Sequence, residues 1–205
     1  MANADTKFGF RTNIHQAGGC PARMNVYNIP TGQATSIFTG DLVRSIVDSV
    51  GAGTAQGLAA IQRGIGVADT VLNLLGPFAG CQYVDSAGNI VFAPFWPGGT
   101  ALATGTLCTA WVYDDPALEM IAQMTTFALA DSNANYDFTA GTGSTVTGRS
   151  GSDINQADTT DPKIRVYGLA QVGDNGVTPS ELGAFAKVRC RIINHERGSI
   201  LTTAF

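Results

Sequence analysis

Residues 80–95, GCQYVDSAGNIVFAPF, constrain the fold more than any other stretch of this chain. Two runs rich in β-branched and aromatic residues, GCQYVD and IVFAPF, flank the short Gly-containing segment SAGN (86–89). That arrangement signals a β-hairpin. Similar runs recur along the chain. NVYNI (25–29) leads into IPTG (29–32), a turn with Pro second and Gly fourth. ATSIFTGDLVRSIVDSV (34–50) carries β-branched Ile37, Val43 and Val47, punctuated by TGD (39–41). TLCTAWVYDDP (106–116) reads as a strand that ends at Pro116, and KIRVYGLAQVG (163–173) as another. In AFAKVRCRIIN (184–194), Val188, Cys190 and Ile192 alternate with Lys187, Arg189 and Arg191, the pattern of a half-buried strand. Many short strands between turns, with little helix, predict a mainly β fold: a compact antiparallel β-barrel or sandwich.

Three segments do not fit simply. ALEMIAQMTTFALA (117–130) has Leu118, Ile121, Met124 and Phe127 at helical spacing, so its plain reading is a helix; Thr125 and Thr126 soften that and the β surroundings argue for a strand, and helix and strand both stay open. GAGTAQGLAAIQRGIG (51–66) holds five Gly, against a stable helix, and reads as a glycine-rich loop with at most one helical turn at Leu58–Gln62. Residues 131–162 form a polar insertion rich in Gly, Ser, Thr, Asn and Asp, which short β segments near Tyr136–Phe138 and Ser144–Thr147 could organise. Residues 1–24 read as an arm set before a β domain spanning 25–205. Phe8 and Phe10 lie two apart, on one face if the arm is extended, which suits a docking strand better than a free tail.

Charge separates the function classes. Only 14% of the residues are charged, against roughly 25% in ordinary soluble domains. Lys7, Lys163 and Lys187 are the lysines, and Glu119, Glu181 and Glu196 the glutamates. Such a surface suits either a small-residue β protein or a molecule walled by other protein. The net charge is −4 and no basic run occurs, so no nucleic-acid partner is expected. The opening MANADTKFGF has no apolar signal region, and no apolar run reaches spanning length, so synthesis in the cytoplasm with no membrane partner is expected.

The enzyme motifs are incomplete. GAGTAQG (51–57), with Asp69 beyond it, is GxGxxxG rather than GxGxxG, and no second βαβ unit follows. Asp114 and Asp115 are adjacent, so on a strand they diverge, and Asp before Pro marks a turn. His195 and Glu196 diverge in the same way. An enzyme would need a cleft gathering Asp114, Asp115, His195 or Glu196. Cys20, Cys81, Cys108 and Cys190 lack a CxxC pair; His15 near Cys20 and His195 near Cys190 are thin grounds for zinc, and buried thiols are expected. No catalytic residue, metal or cofactor is expected. Residues 91–100, VFAPFWPGGT, gather Phe92, Phe95 and Trp96 with Pro94, Pro97, Gly98 and Gly99. One reading is a glycan platform on Trp96. The preferred one is an architectural corner, because the two Pro cannot donate ladder hydrogen bonds and the Gly pair permits a sharp exit.

Several stretches together resemble one family. MANADTKFGFR resembles the MAN-xD-x-PFGFRP opening of a group of tailed-bacteriophage virion proteins regarded as head decoration, or cement, proteins. IFTGDLVR (37–44) is similar to their xYxGDxVK strand, and LLGPFAGCQYVDSAGNIVFAPFWPGGT (74–100) to their GVFxGCxYxDxxG…FSxxWPGGT block. WVYDDP (111–116), TGRSGSDI (147–154), IRVYGLAQ (164–171) and KVRCRIINHE (187–196) look like later blocks in the same order. Lys7 and Thr12 depart from it, standing where the family tends to have Pro, and segment 51–66 looks expanded. The resemblance implies a β-tulip-like fold and a non-enzymatic protein on the outer surface of the virion. It would cement an icosahedral head by clamping neighbouring major capsid subunits, as a homotrimer. Phe8 and Phe10 would anchor its arm, with Arg11 as a polar clamp. A tail or head-fibre component binding host glycans through Trp96 and loop 131–162 is the alternative.

Overall fold

The computed structural model describes residues 3–15, 23–46, 58–67, 73–172, 175 and 183–198. Within them the chain is almost entirely β, and its strands close into two rings rather than one. The first ring runs β10 (Leu118–Thr126), β14 (Ala184–Ile192), β13 (Ile164–Leu169), β11 (Asn135–Thr139) and β12 (Asp153–Asn155), then returns to β10. Its pairings are antiparallel except the closing β10–β12 contact, where Met124 meets Ile154 in parallel. β1 (Arg11–His15) adds to β10 outside this ring.

The second ring runs β4 (Leu42–Ile46), β5 (Ala60–Arg63), β2 (Met24–Ile29), β9 (Cys108–Tyr113) and β6 (Gly76–Val84), and closes where β6 pairs with β4. Here too one contact is parallel, Asn28 with Ala60 between β2 and β5. β7 (Ile90–Ala93) extends β6 through the hairpin expected from the sequence, with Tyr83 opposite Val91. A short ribbon of β3 (Ile37–Phe38) and β8 (Phe95–Trp96) completes the strands.

Each ring encloses an apolar core. Phe10, Met120, Met124, Phe138, Ile164 and Val188 are among the side chains of the first, and Ile29, Ile61, Phe78, Trp96, Cys108 and Val112 of the second. The two cores share a wall. Leu42 enters the first and its neighbour Val43 the second; Leu74 and Leu75 divide in the same way. Successive side chains on a strand point to opposite faces, so one stretch of backbone can serve both cores only if both faces are apolar.

Segment 117–130 resolves as strand, followed by a 3-10 turn at Leu129–Asp131. Its helical spacing misleads because β10 is covered on both faces. Met120, Ala122 and Met124 face the first core, while Glu119 and Gln123 are buried on the other side. Lys187 on β14 is likewise buried rather than solvent-facing, its Nζ donating to the Ala4 carbonyl at 3.1 Å. What covers them is the N-terminal segment itself. Asn3 donates to the Ala184 carbonyl, Thr6 N–H to Gln123, and Gln123 to Asp5. Residues 3–15 are therefore laid along their own barrel. Of the glycine-rich stretch, residues 51–57 lie outside the described residues; Ala60–Arg63 is a strand, correcting the expectation of loop or helical turn. In the polar insertion, β11 covers the expected Tyr136–Phe138 segment, whereas Ser144–Thr147 is a turn.

Candidate docking cleft

Three sequence motifs far apart in the chain meet at one buried carboxylate. Asp41, 1% exposed, closes the TGD turn by accepting the Phe38 N–H at 2.8 Å. Its Oδ1 also accepts the Ser150 hydroxyl at 2.6 Å and the Ser152 hydroxyl at 3.0 Å. The Arg63 guanidinium pairs with both carboxylate oxygens, at 2.8 and 2.9 Å, and reaches on to the Gly141 carbonyl. Both arms of loop 141–151 are thus tied to one charge. Charge-assisted bonds of this kind are about twice as strong as neutral ones.

The FGF motif completes the arrangement. Gly9 has φ 74°, and a Cβ there would stand 2.6 Å from the Gly40 carbonyl oxygen and 2.6 Å from Ser150 Cβ. Only glycine fits this left-handed, close-packed position. Because the backbone turns there, the extended geometry expected to put Phe8 and Phe10 on one face does not hold. Phe10 is 1% exposed and meets Phe138 edge-on at 5.8 Å between centroids, inside the first core. It is a core residue and cannot be an anchor for another molecule, which corrects the sequence reading. Phe8 stays half-buried at the surface, with the exposed Arg11 guanidinium 5.7 Å above its ring.

Loop 141–151 is held on its other side by close packing. A Cβ on Gly143 would lie 2.3 Å from the Phe38 ring, which is stacked on Phe95 at 5.2 Å. Ser144 N–H donates to the Arg149 carbonyl, and Gly148 N–H to that of Ser144. The tip presents Val146, 94% exposed, with Arg149 exposed beside it.

Between the N-terminal segment and this loop lie two adjoining concavities. One, about 400 Å³, is lined by Lys7, Phe8, Arg11, Ile121, Thr147 and Arg149 among others. The other, about 330 Å³, is lined by Phe8, Arg11, Pro77, Phe78, Tyr113 and Arg149 among others. Phe8, Arg11 and Arg149 form their common rim. Lys7 is paired with Asp153 at 2.8 Å. Among the described residues, Arg11 and Arg149 have no carboxylate partner. Phe8 and Arg11, two of the arm residues singled out in the sequence, lie at the surface side by side; Arg149 was not singled out, because only the fold carries it across to them.

The aromatic stretch VFAPFWPGGT is the expected corner. Trp96 is wholly buried, its indole N–H donating to the Gln33 carbonyl at 3.0 Å and its ring edge-on to Tyr83 at 5.5 Å. Pro94 separates β7 from β8, and Thr39 N–H donates to its carbonyl. Gly98 packs on the Ala34 backbone, Gly99 N–H reaches the Gln33 carbonyl, and Thr100 closes on Pro97. Phe92, by contrast, is 70% exposed on the outer face of β7.

The candidate acid–base residues are gathered, but around a saturated charge. Asp114 is wholly buried and accepts from the Tyr27 hydroxyl and from Asn25, with Arg197 at 2.7 Å and Arg23 at 3.3 Å. Burial alone would raise its pKa; the Tyr27 and Asn25 hydrogen bonds and the two guanidinium groups outweigh that and hold it below the usual carboxylate value. Burial, then Asp114, push the Tyr27 phenol well up. His195, 5% exposed, is pulled below its ordinary value by burial, against the opposing pull of Asp114 and Asp115. Asp115 makes an Asx turn, accepting the Ala117 N–H ahead of β10. Glu196 turns away to cap Ser45. Asp114 lines neither of the two concavities of the cleft. Among the described residues no three His, Cys, Asp or Glu side chains gather as metal ligands, and Cys81, Cys108 and Cys190 are buried free thiols. His15 and Cys20 were the other zinc candidates; Cys20 lies outside the described residues. No family model, curated protein or solved structure matches the chain.

Proposed function

We propose that this chain is a non-enzymatic virion structural protein that decorates and cements the outer surface of an icosahedral phage head, clamping neighbouring major capsid subunits. The supporting observation is the convergence at Asp41. FGF (8–10), TGD (39–41) and TGRSGSD (147–153), three of the stretches that carry the resemblance to head decoration proteins, build one braced surface cleft. Bracing of this kind suits a surface that must meet its partner without paying again for ordering.

A protein that binds only the assembled, expanded shell stabilises it by mass action. A homotrimer at points where capsomers meet would add avidity to modest single contacts. Low surface charge fits a molecule with protein on several sides. The glycan-binding alternative has less support, since Trp96, its stacking platform, has no exposed surface.

The test is sedimentation of purified protein with undecorated expanded heads and with unexpanded procapsids. Saturable binding to expanded heads alone is expected. Binding to neither particle overturns the proposal. Deleting residues 2–12 is not a useful control, because it takes Phe10 out of the core.

A further inference from the structure

We infer that the cleft under Phe8, Arg11 and Arg149 is a receptor for an extended acidic peptide segment, which on the proposed function would belong to the major capsid protein. This deepens that reading and rests on it for the identity of the partner, though not for the chemistry of the site.

Shape gives the first argument. Two concavities of about 400 and 330 Å³ share one rim, so a ligand can run from one to the other across the Phe8 ring. A strand-like segment rises about 3.3 Å per residue and places alternate side chains on one face. Neighbouring same-face side chains could then enter the two hollows in turn. Each hollow has an apolar wall, Ile121 in one and Pro77 with Phe78 in the other.

Charge gives the second. The chain carries −4 overall, yet this cleft is lined by Lys7, Arg11, Arg149 and Lys187. Lys7 is matched by Asp153 and Lys187 is engaged with Ala4. Arg11 and Arg149 face outward with no described carboxylate, and their planar forks fit a carboxylate through two parallel hydrogen bonds. Two such cations above apolar walls suit a peptide alternating carboxylates with apolar residues. A nucleic-acid backbone needs many more, on a surface not otherwise acidic.

Preformed geometry gives the third. Asp41 fixes the Arg149 side of the cleft through Ser150 and Ser152, and Gly9 fixes the Phe8 side against Gly40 and Ser150. The two walls are therefore braced against the same residues before any partner arrives.

The experiment measures anisotropy of a fluorescein-labelled eight-residue peptide alternating Glu with Ile, beside its Gln–Ile counterpart and a single-stranded DNA octamer. The protein is the full chain, as wild type and as Arg11→Glu/Arg149→Glu. Both positions are exposed, and an unchanged Tm confirms that the variant folds. We expect the Glu peptide to bind at least tenfold more tightly than the Gln peptide, to weaken with salt, and to lose at least tenfold in affinity to the double variant. Equal binding of the two peptides, an unaffected double variant, or DNA binding as tight as the Glu peptide would each overturn the inference. Expanded heads separate the two proposals. If wild type and double variant bind heads equally, the cement reading stands and the cleft assignment fails. If the Glu peptide binds as expected and heads do not, the cleft assignment stands and the cement reading fails.

Discussion

The Lys163 ammonium lies 2.6 Å from Asp137 Oδ2, with both side chains 2% exposed or less. The pair sits where β11 and the start of β13 meet in the first ring, and Asp137 Oδ1 also accepts the Phe138 N–H at 2.7 Å. Removing one partner leaves a buried charge uncompensated, at about 3–5 kcal/mol, whereas replacing both by apolar groups is often neutral. Urea unfolding should show Lys163→Met losing about that much stability, and Asp137→Leu/Lys163→Met recovering most of it. Equal losses in the single and double variants would mean that the pair is not the source of the effect.

The Asp41 node predicts a coupled loss. Asp41→Asn removes the charge that Arg63 pairs with and weakens the acceptor for Ser150 and Ser152. Stability should fall by about 3 kcal/mol, the lower end for breaking a buried pair. Amide exchange should rise first at Ser150 and Ser152, while amides in β6 and β9 stay protected until global unfolding. A uniform rise across the molecule would contradict the proposed bracing of the cleft.

Stability should fall on the acid side in two stages. Burial holds the His195 pKa below its ordinary 6.5, so between those two values the unfolded chain binds a proton that the folded one does not. Stability is therefore complete above about pH 6.5 and declines below it. Asp114 adds a second stage. Its folded pKa is depressed below 3.8, so its contribution is present above that value and is lost as pH falls through the folded pKa. In urea unfolding at stepped pH, His195→Gln should flatten the first stage, whereas Asp114→Asn should remove the second and deepen the first, because it takes away a charge that holds the His195 pKa up.

The thiols should be silent in the native protein. Cys81, Cys108 and Cys190 are buried. The Cys81 thiol, with burial, pushes the Cys108 pKa far up; burial does the same to Cys190. Thiolate is the reactive form. In a Cys20→Ser variant, a thiol-specific chromogenic reagent should read none of the three until denaturant is added, then all three. A native reading above zero would mean that one of the cores opens.

How much of this was legible in the sequence depends on which faces of a strand the fold covers. The hairpin at 80–95 was legible from the short Gly-containing turn between two runs rich in β-branched and aromatic residues. That local signal does not need apolar–polar alternation, which β7 lacks because its exposed Ile90 and Phe92 are themselves apolar. β10 was ambiguous because residues 3–15 hide its second face and erase that alternation. Lys187 read as a surface residue for the same reason: alternation reports direction, not what lies beyond. The corner at Trp96 was legible because Pro and Gly act locally. The cleft was not, since Asp41, Ser150 and Gly9 meet through contacts more than a hundred residues apart in sequence. The FGF motif misled because Gly9 breaks the extended geometry that a two-residue spacing assumes.

The division of neighbours between the cores, Leu42 from Val43 and Leu74 from Leu75, has a mechanical consequence. A molecule with two lobes ordinarily has a joint, where the halves can swing, be clipped apart, or melt separately. Here the backbone that would be the joint is structural material for both lobes, so neither can loosen without pulling side chains out of the other. Among the described residues the two chambers are joined by shared walls rather than by a hinge, and strain applied to either is borne by both.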